Sequence, residues 1–458
     1  MKTIAMTVGP IVDTLALGRK TSEIWAASYL FSKLMKEVIA KLRNIEGVRF
    51  LVPYADNDAL FEPKDEGIGR FHDRFILQSE TLTLQKVRQI VDEVRDTLSD
   101  GIADAIKESP EKVRAQMADY IRCYILETEK SLDNPILDLG PKLDALELHT
   151  PPLPKGDEAL RKFLRRNVVL KSKLAKDSFS HKPSFTSIPA IAAQEDDRDI
   201  ETSEDFKNAY RYIAIVHADG DNLGKVLESY GQNPADFSEK LFDFGDKAAK
   251  TLEGFGAQTL FIGGDDLLFF APVLHRDGRT IFDLIDTLSE DYASSIGDDR
   301  TTLSFGVSVT YYKYPLYEAL ERSREALFGK AKHYEGKNAV AVAIQKHSGQ
   351  SFDFTIGKKE TAYALFKELL SDTLAQRSEL PHSLHHKLAK LNTLFRSAPP
   401  ESIANIFDNF FNEEIHTKKF AEGLEKSRKI VETVGDDKKA EERLFAMLST
   451  IKLLRGDR

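Results

Sequence analysis

A two-stranded hairpin is predicted by the stretch Leu260-Phe261-Ile262-Gly263-Gly264-Asp265-Asp266-Leu267-Leu268-Phe269-Phe270. Two short apolar runs stand on either side of four residues of the glycine and aspartate type, which are common where a chain reverses between strands. Further patterns surround the hairpin: a buried strand at 212–216, helices at 234–253 and 280–295, a strand at 303–309, a helix at 316–333 and a strand at 339–344. The order strand–helix–strand–strand–helix–strand is typical of a ferredoxin-like layout.

A second α/β pattern opens the chain. Alternating apolar residues at 4–8 predict a strand, apolar residues at 24–42 recur at helical spacing, and 48–52 and 74–77 are predicted strands. Like the later domain, this segment begins with a strand, a glycine-containing turn and a helix, which suggests a degenerate copy.

We therefore predict an α+β fold with two ferredoxin-like domains and helical regions between and after them. The predicted division is a first ferredoxin-like domain at 1–81, a helical domain at 82–170, a connector at 171–204, a second ferredoxin-like domain at 205–350 and a C-terminal helical domain at 351–458.

The composition excludes several classes of protein. The chain has 458 residues, 41% hydrophobic and 30% charged, as expected of a globular protein with several domains. The single cysteine, Cys123, excludes a disulfide scaffold and multi-cysteine zinc sites. Without a signal-peptide layout or an apolar stretch of roughly 20 residues, we expect a cytoplasmic protein with no membrane partner. Because the net charge is −9, nucleic-acid contact is expected to be local or shared with partner subunits.

Four carboxylates in two pairs are the strongest candidates for chemistry. Asp219 and Asp221 close the strand that begins at Tyr212, and Asp265 and Asp266 lie at the hairpin tip. In this layout the first strand and the hairpin are usually neighbours, so both pairs can meet at one sheet edge. Two like charges 4 Å apart repel by about 4 kcal/mol at an effective dielectric near 20. A divalent cation, which prefers oxygen ligands, would offset that repulsion. The alternative is an ordinary solvated turn.

A basic segment joins the last predicted helix of this domain to its last strand. Lys332 could reach a phosphate from there as a point charge, and Asn338 follows in the same segment. The alternative is a solvated helix end in a favourable position relative to the helix dipole.

Together these residues resemble a GGDEF-like palm domain. The resemblance rests on Ala218-Asp219-Gly220-Asp221-Asn222-Leu223-Gly224-Lys225, Gly263-Gly264-Asp265-Asp266, Ser304-Phe305-Gly306-Val307, and Lys332 with Gly336-Lys337-Asn338. Other blocks are similar to the large palm-containing subunit of type III-B (Cmr-type) CRISPR effector complexes, in a short form without the HD nuclease domain. These are Gly18-Arg19-Lys20-Thr21, Trp25-Ala26-Ala27-Ser28-Tyr29-Leu30, Pro183-Ser184-Phe185-Thr186-Ser187-Ile188-Pro189 and Tyr314-Pro315-Leu316-Tyr317-Glu318-Ala319-Leu320.

This resemblance implies two facing palm domains, of which the second transfers AMP from ATP and releases pyrophosphate. It implies that Asp219, Asp265 and Asp266 bind Mg²⁺ or Mn²⁺ and are catalytic together with Lys332. The nucleotide contacts that it implies come from Gly220, Asp221, Gly263, Gly264, Ser304 and Asn338. Two products stay open: a cyclic oligoadenylate, or AMP joined to S-adenosylmethionine as second substrate. The implied partners are other subunits of the complex and, through them, guide RNA and target RNA. The alternative is a catalytically silent subunit that scaffolds both RNAs.

The other candidates are interpreted as structural. They are His72-Asp73, Trp25 and His217, expected in or beside the core, and His382, His385 and His386, expected on a helix surface.

Overall fold

Two sheets form the centre of the protein. The computed structural model describes residues 1–61, 67–148, 157–176, 185–194, 208–231, 234–375 and 438–455. Within these ranges, no helix combines the length and the apolar character that crossing a membrane requires.

The first sheet has four strands in the order β2-β3-β1-β4. They are β1 Lys2–Gly9, β2 Val48–Val52, β3 Arg74–Ser79 and β4 Arg122–Thr128. The first three strands and the long helix between β1 and β2 agree with the sequence prediction. The strand β4 was missed, because 82–170 was predicted to be mostly helical. Most of its residues are only partly buried, so its apolar alternation is weak.

The second sheet has six strands in the order β10-β9-β8-β5-β7-β6. They are β5 Tyr212–Asp221, β6 Gln258–Gly263, β7 Asp266–Pro272, β8 Thr302–Tyr311, β9 Ala339–Gln345 and β10 Ser351–Gly357. Four of its strands, in the order β8-β5-β7-β6, repeat the arrangement of the first sheet, so both domains have the ferredoxin-like topology that was predicted. The edge strand β10 was missed, since residues 351–458 were expected to be helical.

Helices cover the two sheets. In the described residues they are α1 Ile11–Leu15, α2 Thr21–Arg43, α3 Leu84–Ile106, α4 Pro110–Tyr120, α5 Pro135–Leu148, α6 Glu158–Phe163, α7 Arg166–Val169, α8 Lys173–Lys176, α9 Ile188–Ala193, α10 Leu223–Leu227, α11 Ala235–Gly254, α12 Ile281–Ile296, α13 Leu316–Glu325, α14 Thr361–Leu374 and α15 Lys438–Arg455. A π-helical turn, Ala326–Lys330, continues α13.

The strand β5 joins two hydrophobic cores because it is buried on both faces. Ala214 and Val216 pack among the helices of the second domain. Ile213 and Ile215 point the other way and share a core with α2 of the first domain. A backbone hydrogen bond of 2.9 Å from Ile262 to the carbonyl of Gly69 also links the domains. The sheets therefore face each other across a common core.

The predicted connector, 171–204, contains packed structure where the chain is described. The helix α9 buries Ala190, Ile191, Ala192 and Ala193 and packs on β5 and β7. A helix of six residues is too short to show a helical period in the sequence.

Gly306 marks the closest approach of α13 to the second sheet. A Cβ at this position would lie 2.2 Å from the carbonyl oxygen of Ser323 and 2.3 Å from the amide nitrogen of Leu327. Because both are backbone atoms, we expect Gly306→Ala to lower the free energy of unfolding by about 3 kcal/mol. Urea or thermal unfolding measures this. The control is Gly101→Ala in α3, where a Cβ meets no atom within 4 Å and where a gain of about 1 kcal/mol is expected. Equal stabilities for the two variants would contradict the packing.

Candidate active site

The two acid pairs meet at one edge of the second sheet. The register pairs Ala218 with Leu267 across β5 and β7, so Asp219 and Asp266 lie opposite each other at the end of the two strands. Asp265 lies in the hairpin turn, and its Oδ2 accepts a hydrogen bond of 3.1 Å from the amide of Gly220. The structure thus brings together the carboxylates that the sequence placed 46 residues apart, from 219 to 265.

Glycines give the hairpin tip its shape. Gly264 has φ +70°, which a residue with a side chain rarely adopts. A Cβ on Gly263 would lie 2.0 Å from the ring of Phe261. The absence of a side chain at Gly263 therefore leaves space for the Phe261 ring beside the turn.

Lys332 contacts three consecutive residues at the end of β5. Its ammonium forms an ion pair with the carboxylate of Asp219. It also donates to the carbonyls of Asp219 at 2.8 Å and Gly220 at 2.6 Å and to Oδ1 of Asp221 at 3.1 Å. The lysine therefore contacts the acid cluster itself.

Asp221 forms a buried support beneath Lys332. Its side chain has no exposed surface, and its Oδ2 accepts hydrogen bonds from the hydroxyls of Thr302 and Ser304, both at 2.8 Å. The backbone amide of Asn338 donates to the same oxygen at 3.0 Å. The side chains of Asp221 and Ser304 are thus hydrogen-bonded within the protein, and their contact with a nucleotide stays a prediction.

The pKa values of the hairpin carboxyls are raised. Burial, followed by the charge of Asp219, raises the pKa of Asp265 to about 7. Burial, followed by the charges of Asp265 and Asp219, raises the pKa of Asp266 well above its ordinary value. The Asp266 carboxyl reaches solvent in a cleft, but the protein around that cleft limits its hydration. Without a cation, the cluster thus holds more negative charge than its surroundings stabilise.

The donor set suits a hard divalent cation, although a metal site is not preformed. Asp219, Asp265 and Asp266 supply carboxylate oxygens, and Gly220 supplies a carbonyl oxygen; such oxygens are the ligands that Mg²⁺ prefers. Among the described residues, no group of three or more His, Cys, Asp or Glu side chains is already arranged around a metal position. The ammonium of Lys332 lies on Asp219 and Gly220 instead, so cation binding requires this lysine to move.

A cleft of about 280 Å³ opens between the two domains beside Asp266. Its walls are mostly apolar, and its polar groups include His72, Asp73 and His217. Burial, followed by the charge of Arg74, lowers the pKa of His72 to about 4. Burial raises the pKa of Asp73 to about 6. His72 and Asp73 were interpreted as structural residues, yet they face the hairpin from the first domain.

His217 lines the same cleft and has a defined hydrogen-bond partner. Its Nδ1 lies 2.8 Å from the hydroxyl of Ser323, which itself donates to the carbonyl of Leu320 at 2.8 Å. The hydroxyl can therefore accept from Nδ1–H, which leaves Nε2 as an acceptor. Burial, followed by the charge of Arg324, lowers the pKa of His217 to about 4 and keeps the ring neutral.

Exposed apolar side chains stand among the residues that line this cleft. Val12, Tyr317 and Phe328 are 49%, 40% and 44% exposed. The guanidinium groups of Arg19 and Arg324 stack on the Tyr317 and Phe328 rings, at 4.5 and 5.7 Å from their centroids. Phe328 belongs to the π-helical turn, and such turns are frequent at functional sites. The sequence prediction identified neither aromatic residue as functional.

The remaining residues that the sequence analysis interpreted as structural are Trp25 and three histidines. Trp25 is 1% exposed and stacks on Tyr29 in the core, as predicted. His382, His385 and His386 lie outside the described residues.

Two facing ferredoxin-like domains, one with acids on its hairpin, define a protein with two palm domains. Comparison with known families agrees: residues 212–341 match the model for the second palm domain of Cas10/Cmr2, and residues 3–109 match the model for the N-terminal part of the CRISPR-associated protein Cmr2. The chain therefore belongs to the Cas10/Cmr2 family of CRISPR-associated proteins.

Relatives of known sequence or structure are distant. Over 214 residues the chain is 25% identical to the Cmr subunit Cmr2 of Pyrococcus furiosus, a match that covers 41% of this chain and 24% of that protein. Two solved Csm1–Csm4 cassettes, in complex with pppApApA and with one ATP, have TM-scores of 0.52 and 0.51 at 13% and 14% identity. These matches cover 99% and 100% of this chain and 69% and 70% of the other chains, and they establish the shared fold.

Proposed function

We propose that this chain is the nucleotidyltransferase subunit of a type III-B CRISPR antiviral complex. It transfers AMP from ATP to a second small molecule and releases pyrophosphate, making an adenylate second messenger. The observation that carries the proposal is the cluster of Asp219, Asp265 and Asp266, with Lys332 against it, beside the cleft between the domains.

The donor nucleotide binds with its triphosphate at the acid cluster. Asp219, Asp265 and Asp266 would hold Mg²⁺ or Mn²⁺, which would neutralise charge on the phosphate oxygens. Lys332 leaves the Asp219 carboxylate and contacts the triphosphate, while the buried carboxylate of Asp221 keeps the lysine in reach. Gly220 contributes its carbonyl, and Gly264 and Asn338 border the site through their backbones.

The second substrate binds in the cleft, because the cleft extends from Asp266 toward the exposed aromatic side chains. A planar base can stack on Tyr317 or Phe328, and stacking tolerates many bases because each has a π-face. A nucleophilic oxygen of this molecule attacks the α-phosphorus of ATP, and the bond from that phosphorus to pyrophosphate breaks.

Two products are compatible with this arrangement. If the second molecule is another adenine nucleotide, repeated transfer gives a linear oligoadenylate. A cyclic product forms when the terminal hydroxyl of this oligoadenylate attacks its own α-phosphorus and releases pyrophosphate. If the second molecule is S-adenosylmethionine, a single transfer gives an AMP conjugate. The partners are the other subunits of the complex, guide RNA and target RNA. Mass spectrometry of products made by the guide-loaded complex with ATP, Mn²⁺ and target RNA, with and without S-adenosylmethionine, distinguishes the two. An adenylate product under neither condition would favour the alternative, a silent subunit that scaffolds the RNAs.

Removing the two aromatic rings tests where the second substrate binds. We expect Tyr317→Ala with Phe328→Ala to raise the KM for the second substrate at least about tenfold, because a base-stacking contact contributes about 1–3 kcal/mol. Product formation is measured against the concentration of ATP and of S-adenosylmethionine. Leu148→Ala, which removes a side chain that is 86% exposed outside the cleft, is the control. An unchanged KM for both substrates would contradict this binding site.

A further inference from the structure

Basic residues are concentrated in one short segment of this acidic chain. Between 165 and 176 the sequence is Arg165-Arg166-Asn167-Val168-Val169-Leu170-Lys171-Ser172-Lys173-Leu174-Ala175-Lys176, with five basic residues and no acid. All five basic residues are exposed. The segment thus carries a local charge of +5 in a chain whose net charge is −9. We call these five residues the basic patch.

Packing directs the basic patch to one side of the protein. The segment consists of the short helices α7 and α8, both of which contact α2 and α3. The residues that face those helices are buried and apolar, among them Val169, Leu174 and Ala175. The five basic residues are exposed beside this contact, and Lys173 lines a small pocket together with residues of α2 and α3. The five basic residues lie within twelve residues of the chain, so the segment concentrates positive charge.

The charges of the basic patch are not neutralised by described residues. Neighbouring Arg161 and Lys162 form ion pairs with Asp157 and Glu158, but none of the five patch side chains forms an ion pair with a described residue. Glu23 adjoins the patch, and its carboxylate accepts hydrogen bonds from the backbone amides of Arg19 and Arg166. Lys33 pairs with Glu37, which lines a small pocket together with Lys173.

We propose that the basic patch binds the phosphate backbone of single-stranded RNA. Clustered lysine and arginine on one face provide the electrostatic attraction that nucleic acids require. The segment contains no aromatic residue, so its own contacts are with the phosphate backbone, which carries no sequence information directly. The proposal rests on the proposed function only in taking RNA as a partner, and it assigns that contact to a surface separate from the acid cluster.

The test measures RNA affinity of the full chain at several salt concentrations. The patch variant is Lys171→Ala, Lys173→Ala and Lys176→Ala. The matched control, Lys86→Ala, Arg88→Ala and Lys130→Ala, removes three exposed basic residues from other surfaces, so both variants have the same net charge. Fluorescence polarisation with a labelled 20-nucleotide RNA of mixed sequence gives the dissociation constant.

We expect the patch variant to bind at least about tenfold more weakly at low salt. The slope of log affinity against log salt should become shallower by about 2, since each phosphate contact in a single strand contributes about 0.7. The control should bind like the wild type, and both variants should unfold at the wild-type temperature. Unchanged RNA affinity of the patch variant would overturn the proposal, and it is the result expected if the patch binds an acidic protein surface instead. Equal weakening of RNA binding by the control variant would also overturn it. Adenylate synthesis by the assembled complex is measured separately, so failure of the catalytic proposal is distinguishable from failure of the RNA-binding proposal.

Discussion

Asp265→Asn is expected to lower adenylate synthesis by about a thousandfold while the protein stays folded. Asparagine keeps the shape of the side chain and can still accept the hydrogen bond from Gly220, but it lacks the charge that a divalent cation would need. Losses of this size are typical when one group that stabilises a phosphoryl or acyl transition state is removed. Product yield from the guide-loaded complex with ATP, Mn²⁺ and target RNA measures the effect. Asp243→Asn, at an exposed position of α11, is the control.

The same substitution should make the metal-free protein more stable at alkaline pH. The pKa of Asp265 is about 7 in the folded chain and 3.8 ordinarily. A raised pKa means that the carboxyl favours folding fully below about pH 4, and that this contribution is lost as the pH rises through about 7. Asparagine cannot ionise, so the variant should melt like the wild type at pH 4 and at a higher temperature at pH 8, in buffer with a chelator. Full activity of Asp265→Asn, or a lower melting temperature at pH 8, would contradict this assignment.

Lys332→Met should also abolish synthesis, but with the opposite effect on stability. It removes the cation from the proposed triphosphate site and leaves the fully buried carboxylate of Asp221 without the ammonium 3.1 Å away. Loss of one partner of a buried ion pair costs about 3–5 kcal/mol. Urea unfolding measures the free energy of unfolding, and product yield measures activity.

A second substitution separates these two effects. In Lys332→Met, the further change Asp221→Asn removes the uncompensated charge, and the amide oxygen can still accept from Thr302, Ser304 and Asn338. We expect the double variant to recover at least about 2 kcal/mol of stability without recovering activity. Recovery of activity would mean that Lys332 serves only to neutralise Asp221. The proposed contact between Lys332 and the triphosphate would then be wrong.

The sequence predicted the local elements of the site because they depend on nearby residues. Strand alternation predicts β5 and β7, and the two-residue turn joins β6 to β7. The pairing of β5 with β7, which sets Asp219 opposite Asp266, follows from the strand order of the ferredoxin-like layout. The contact between Lys332 and the carbonyl of Asp219 spans 113 residues and depends on how α13 and its π-helical turn end. No local pattern encodes such a contact.

Other parts of the site escaped prediction for related reasons. His72 and Asp73 line the cleft because the first domain faces the second. A single sequence contains no signal for which residues face each other across a domain contact. Asp221 and Ser304 match the family pattern in residue type, but their burial depends on strand pairing with β8 and on the backbone of Asn338. Residue type therefore indicated where the site is, whereas burial separates the residues that can touch a ligand from those that hold the others in position.

The core shared by the two palm domains limits how RNA could activate the proposed enzyme. Ile215 and Phe270 of the second domain are fully buried in the same hydrophobic cluster as Phe31 and Leu34 of the first. Opening the molecule like a clamshell would expose this cluster to water, at about 25 cal/mol for each Å² of apolar surface. Activation therefore costs less free energy if it moves only side chains and short turns at the mouth of the cleft. For the same reason, the two palm domains should unfold together as one cooperative unit.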